Sequence, residues 1–189
     1  MKPKTLGTDR LTLRPWRDDD AAALYLLARD PEVGPRAGWP AHVDEADSLR
    51  VIREVLSTPE TYALVLRDGD EPDAPVGAIS LMFGSASTLA KDARGAELGY
   101  WIGRPFWGRG LVPEAARELI RHGFEELALQ TIWCGYYEGN EQSRRVQEKL
   151  GFVPDHVIDC EPRPLLGDTA RTHVSALTRE RWERMSWSS

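Results

Sequence analysis

The run Gly99-Tyr100-Trp101-Ile102-Gly103-Arg104-Pro105-Phe106-Trp107-Gly108-Arg109-Gly110-Leu111 leaves the chain few ways to fold. An apolar strand runs into a turn punctuated by glycines, and the turn opens directly into a long amphipathic helix. In that helix Leu111, Ala115, Ala116, Leu119, Ile120, Phe124 and Leu127 recur at helical spacing. Pro113 is tolerated because it lies in the first turn. Glycines at 108 and 110 let the backbone come close to a ligand. The helix start leaves several amide N–H groups without intrahelical partners, at the positive end of the helix dipole. Together these features make an anion site suited to phosphates, with Arg104 and Arg109 adding positive charge around it. The spacing is not that of the common nucleotide folds. There is no Gly-x-x-x-x-Gly-Lys-Ser/Thr, and no Gly-x-Gly-x-x-Gly with an acidic residue about 20 positions later.

Elsewhere the chain alternates helical and strand-like stretches. Arg10 to Trp16 reads as a strand ended by Pro15. Acids at 18–20 introduce a helix that Asp30-Pro31 stops. Residues 32–41 read as a Gly/Pro loop carrying Trp39, and 44–57 as a helix with Leu49, Ile52, Val55 and Leu56 on one side. Tyr62–Arg67 and Val76–Phe83 read as a hairpin with a polar tip at 68–73. Glu97–Ile102 is the strand feeding the glycine turn, after a small and polar connection at 86–94. Then follow a strand at Thr131–Tyr137, a helix at Asn140–Leu150 closed by Gly151, and a strand at Phe152–Asp159. A proline-rich loop at Glu161–Gly167 and a last strand at Thr169–Leu177 complete the reading. Helices interleaved with hairpins argue for a mixed α/β sheet flanked by helices, not a doubly wound parallel one. With no repeat or linker in 189 residues, a single domain over 1–189 is expected.

Composition narrows the classes further. Twenty-four Lys+Arg against 30 Asp+Glu give a net charge of −6, which argues against general binding to nucleic acid or anionic membranes. No apolar run approaches the ~18 residues of a membrane span. Met1-Lys2-Pro3-Lys4 is not followed by a signal-peptide core. A cytoplasmic enzyme is the expectation. Cys134 and Cys160 are expected to be reduced thiols, and the scattered His42, His122, His156 and His173 offer no metal-ligand spacing, so no metal is expected.

Four segments, in order along the chain, resemble the GNAT acetyltransferase superfamily. Gly108-Arg109-Gly110 matches the glycine half of its acetyl-CoA pyrophosphate loop, Gln/Arg-x-x-Gly-x-Gly/Ala, with Pro105 standing in place of the Gln or Arg. Thr8-Asp9-Arg10-Leu11-Thr12-Leu13-Arg14-Pro15-Trp16 looks like the opening strand of its ribosomal-protein N-terminal (Rim-type) branch. The segment Asn140 to Ser143, continuing through Lys149 to Gly151-Phe152, is similar to the branch's Asn-x-x-Ser to Lys-x-Gly-Phe segment. Leu177-Thr178-Arg179-Glu180-Arg181-Trp182 resembles its terminal strand and closing turn. The resemblance implies a GNAT fold: a central mixed, mostly antiparallel sheet in which two parallel strands, here Glu97–Ile102 and Thr131–Tyr137, splay around the cofactor. It also implies acetyl-CoA as acyl donor, a primary amine as acceptor, and a homodimer.

Acyl transfer to an amine needs a base for the amine, donors for the oxyanion and a partner for the leaving thiolate. By position in the resemblance, Glu97 is the candidate base, with Tyr136, Tyr137 and Glu138 nearby as alternatives. The backbone amides of Trp101 and Ile102 are the oxyanion donors. The turn Trp107, Gly108, Arg109, Gly110 and Leu111 holds the phosphates. Asn140 either binds the pantetheine or caps its helix. Many superfamily members place a tyrosine where this chain has Gln147, so Ser143 is the candidate hydrogen-bond donor to sulfur, or else a helix-start residue. Trp39 and Tyr137 are expected on the acceptor side. Arg144, Arg145 and Lys149 reach toward phosphate or form a solvated face. A protein N-terminus is the expected acceptor. A small amine and a non-catalytic acyl-CoA-binding module are the alternatives.

Overall fold

The computed structural model describes residues 4–68, 73–90 and 92–185. Eight strands run in chain order: β1 Leu6–Gly7, β2 Leu11–Arg14, β3 Thr61–Leu66, β4 Pro75–Met82, β5 Gly95–Ile102, β6 Thr131–Tyr137, β7 Val153–Arg163 and β8 Asp168–Thr178. The helices are α1 Ala21–Ala28, α2 Glu45–Val51, α3 Leu111–Glu125, α4 Glu141–Lys149 and α5 Arg179–Glu183. The strands form one sheet in the order β1-β2-β3-β4-β5-β6-β8-β7. It is mostly antiparallel, and β5 with β6 is its parallel pair. That parallel ladder joins Gly95–Glu97 to Thr131–Trp133, while both strands run on beyond it.

The chain divides into two compact units, Met1–Ser80 with Tyr100–Ala115, and Leu81–Gly99 with Ala116–Ser189. In the first, α1 and α2 bury Leu24, Ala28 and Ile52 against Trp16, Ala63 and Ala78. β3 is buried along nearly its whole length, as the apolar Tyr62-Ala63-Leu64-Val65 run requires. Buried Arg14 gives Nε to Asp73 at 2.8 Å and both terminal nitrogens to Asp20 at 2.8 and 2.7 Å. It also donates to the carbonyls of Pro15 and Asp73, so a desolvated charge is fully compensated. In the second unit the apolar face of α3 buries Leu119, Ile120 and Phe124, and the Phe124 ring lies 5.2 Å from that of Trp182.

Three elements differ from the sequence reading. The helix expected over 44–57 is α-helical only to Val51 and continues as a wider π turn to Leu56. Val55 stands on its outer side, 55% exposed. The loop expected at 161–167 is strand over its first three residues, where Glu161, Pro162 and Arg163 pair with Ala170, Thr169 and Asp168, and only 164–167 form the turn. Pro162 is accommodated because β7 is the sheet's last strand, where a missing N–H breaks no ladder. Strand β1 is too short to leave a periodic signal. The hairpin tip expected at 68–73 lies in part outside the described residues.

Candidate active site

In the first unit, β5 ends at Ile102 and leads into the turn. Gly103 ties back by its N–H to the carbonyl of Val76 at 2.9 Å, and Arg104–Phe106 form a single 3-10 turn. Trp107 folds over the strand end and donates Nε1 to the Ile102 carbonyl at 2.8 Å. Gly108 and Gly110 both sit at φ +73°, a conformation in which a side chain is strained. A Cβ built at Gly108 would meet no atom within 4 Å, so the outer surface of the turn is open. The Gly110 carbonyl accepts from Glu114 N at 3.4 Å as α3 begins. The turn therefore fits a pyrophosphate: an open glycine surface, a helix start, and Arg104, Arg109 and Arg36 close by. Arg109 lies over the Phe106 ring at 5.6 Å and Arg36 over Trp107 at 5.3 Å.

The N-terminal arm braces this turn, a feature that sequence reasoning missed. Glu114 accepts from Thr8 Oγ1 at 2.6 Å, Arg10 N at 2.8 Å and Arg10 Nε at 2.6 Å. Arg10 Nη1 reaches the Arg109 carbonyl at 3.0 Å. Burial works to raise the Glu114 carboxyl, but these donors hold it below the usual carboxylate range. The spacing from Thr8 to Glu114 carries no local signal, so only the fold exposes the brace.

Trp39 and Trp101 meet edge to face at 5.6 Å, and Trp101 stacks with Trp16 at 6.5 Å. Trp39 is half-buried against the first unit's core. Its ring passes over Gly34, where a Cβ would stand 2.5 Å from Cε3. On its other side, 5.3 Å away, is His42, whose Nδ1 is 2.8 Å from Ser48 Oγ. Both partners of that pair are buried, and burial lowers the His42 pKa.

The second unit holds Glu97, on the last rung of the parallel ladder, opposite Trp133. Three donors converge on its Oε2: Ser87 Oγ at 2.9 Å, Thr88 N at 2.9 Å and Leu89 N at 3.2 Å. The Ser87 oxygen in turn accepts from Leu89 N at 3.1 Å and Ala90 N at 2.8 Å, fixing the segment as a clamp. Burial raises the Glu97 pKa and outweighs these bonds, and the negative charge of Glu161 adds to the rise. Tyr137 belongs to the same neighbourhood. Its hydroxyl is raised by burial first and then by the charge of Glu161, with Glu97 a smaller contributor, and Arg163 lies 5.0 Å from its ring centroid. Sequence reasoning took 86–94 as a polar connection. A serine followed by donors to its own oxygen was the available signal.

Asn140 and Ser143 also come together. Asn140 Oδ1 accepts from Ser143 N at 3.2 Å and caps α4. Gln147, 2% exposed, directs Nε2 toward Ser143 Oγ at 3.5 Å. Arg144 is taken up by exposed ion pairs to Glu141 and Glu148 on its own helix, the solvated face of the two readings. Cys134 and Cys160 are free thiols, the first buried and the second exposed. Among the described residues, no helix is long and apolar enough to cross a membrane.

The profile of the GNAT acetyltransferase domain matches residues 10–153. N-acetyltransferase YoaA of Bacillus subtilis is 30% identical over 162 residues, covering 81% of this chain and 85% of that protein. YdaF of B. subtilis, provisionally assigned as a ribosomal N-acetyltransferase, is 45% identical over 71 residues, 38% of this chain and 39% of that protein. The structure of Mycobacterium smegmatis RimJ with CoA-disulfide superposes with a TM-score of 0.75 at 22% identity, covering all of this chain and 94% of that one. The open glycine turn before α3, the parallel pair β5/β6 and the matched profile lead to one conclusion: the chain belongs to the GNAT family of N-acetyltransferases, which take the acyl group from acetyl-CoA.

Proposed function

We propose that this enzyme acetylates the α-amino group of a protein or peptide, with Glu97 as general base. The observation that carries the reading is the Glu97 carboxylate itself. It is half-buried, raised in proton affinity, and gripped through Oε2 by three donors, none of which engages Oε1. A carboxylate so placed is a better proton acceptor than an exposed one, which favours proton removal from an ammonium. One ammonium proton passes to Glu97 and on to solvent. The freed nitrogen attacks the thioester carbonyl, the C–N bond forms and the C–S bond breaks. The nitrogen's second proton goes to the departing sulfur.

In this reading Trp107, Gly108, Arg109, Gly110 and Leu111 hold the pyrophosphate, and the amides of Trp101 and Ile102 receive the oxyanion. Asn140 holds the pantetheine, and the Ser143 hydroxyl donates to sulfur. A serine hydroxyl serves there as a hydrogen-bond donor and not as an acid. Trp39 and Tyr137 line the acceptor side. Support for a protein acceptor comes from the Rim-type segments of the sequence and from the ribosomal assignment of YdaF, whose match covers 39% of that protein. A cytoplasmic homodimer belongs to the same reading.

The test is acetyl-CoA-dependent thiol release against two acceptor pools, peptides with varied free N-termini and small amines including polyamines and aminoglycosides. Turnover confined to peptides is expected. Turnover confined to small amines would replace the acceptor, and binding of acetyl-CoA without acceptor-dependent release would leave a non-catalytic module.

A further inference from the structure

The segment that grips Glu97 also touches a second carboxylate. Thr88 gives its backbone N–H to Glu97 Oε2 at 2.9 Å, while its hydroxyl donates to Glu161 Oε1 at 3.4 Å. Glu161 is half-buried on β7, opposite Ala170 of β8, so an element remote in sequence converges on the base. Among the described residues, Arg163 and Asp168 of the same hairpin also act on Tyr137 of β6. Arg163 lies over the Tyr137 ring, but its charge is committed to Asp168 by two bonds of 2.7 and 2.6 Å. Glu161 therefore brings its negative charge to bear on Glu97, while Arg163 on the same strand is paired with Asp168. Like charges at close range oppose ionisation and attract cations.

We infer that Glu161 is a positioning residue for acyl transfer: tied through Thr88 to the clamp on Glu97, it keeps the base basic and draws in acceptors that arrive as cations. The inference rests on Glu97 being the base. Glu161 touches neither donor nor acceptor atoms in this role. It acts through the field at Glu97 and through the hold of Thr88. Its consequence for specificity is that ammonium acceptors gain over amines that are neutral at the working pH.

Glu161→Gln removes the charge and keeps an oxygen for Thr88. The experiment is a carboxyl-carbon NMR titration of the full chain, with the Glu97 signal assigned through Glu97→Gln, beside the pH profile of kcat/KM for a turned-over acceptor. In Glu161→Gln the Glu97 midpoint is expected to fall, and the acid limb of kcat/KM to move to lower pH with it. KM for the amine should rise several-fold while KM for acetyl-CoA stays, and Glu161→Asp should restore the limb. An unmoved midpoint and limb, with Glu97→Gln inactive, would overturn the role of Glu161 and leave the base in place. A Glu97→Gln enzyme that keeps the normal rate and limb would overturn the base, and this inference with it.

Discussion

At Glu97, burial and hydrogen bonding pull in opposite directions. Desolvation penalises the carboxylate, whereas Ser87, Thr88 and Leu89 stabilise it, and desolvation wins. A carboxyl raised on folding contributes stability below its unfolded pKa, and that contribution is lost as pH rises through the folded value. The wild-type enzyme should therefore show an acid limb in kcat/KM above the ordinary carboxylate range. Glu97→Gln should lose that limb and about 10² to 10⁴ of the rate. Its thermal midpoint at neutral pH should be no lower than wild type, because a partly desolvated charge is gone. Loss of activity together with unfolding would instead make Glu97 a structural clamp.

Gly108 poses a simpler question, because nothing lies within 4 Å of a Cβ placed there. The cost of Gly108→Ala is then backbone strain alone, roughly 1–2 kcal/mol at its positive φ. If the turn's amides hold pyrophosphate, KM for acetyl-CoA should rise while KM for the amine does not. The two glycines were legible from sequence, since Gly-x-Gly between a strand and a helix has few uses. Glu161 and Thr88 were not. Thr88 sits in a polar connection and Glu161 beside two prolines, and only the pairing of β7 with β8 brings them together.

Among the elements, α4 separates two roles that one residue can hold. Asn140 Oδ1 caps the helix through Ser143 N, a bond whose loss in Asn140→Ala should cost about 1 kcal/mol of stability. Asn140→Asp keeps the capping oxygen and places a negative charge where the helix dipole favours it. Thermal melts should find Asn140→Asp near wild type. If the amide also serves acetyl-CoA, KM for acetyl-CoA should nevertheless rise in that variant. Equal KM values would reduce Asn140 to its capping role. The extension of β7 to Arg163 escaped sequence reasoning because Pro162 reads as a breaker. On a last strand its missing N–H is harmless.

Over the whole molecule, periodic elements were read closely. β6 matches residue for residue, and α1 ends at Ala28 just before Asp30-Pro31. What periodicity could not supply was long-range pairing: the Arg10–Glu114 brace spans 104 positions, and Arg14–Asp73 spans 59. The proposed reading is direct transfer between donor and amine, with no side chain of the candidate site serving as a covalent nucleophile. Cys134 is buried, and the Ser48–His42 pair is a poor nucleophile because Ser48 is 0% exposed. The most direct measurement is the initial-rate pattern with acetyl-CoA and amine varied together, read beside the intact mass of the enzyme after acetyl-CoA alone. Intersecting reciprocal plots and an unmodified chain are the expected result. Parallel plots with an acetylated chain would contradict direct transfer and with it the role given to Glu97.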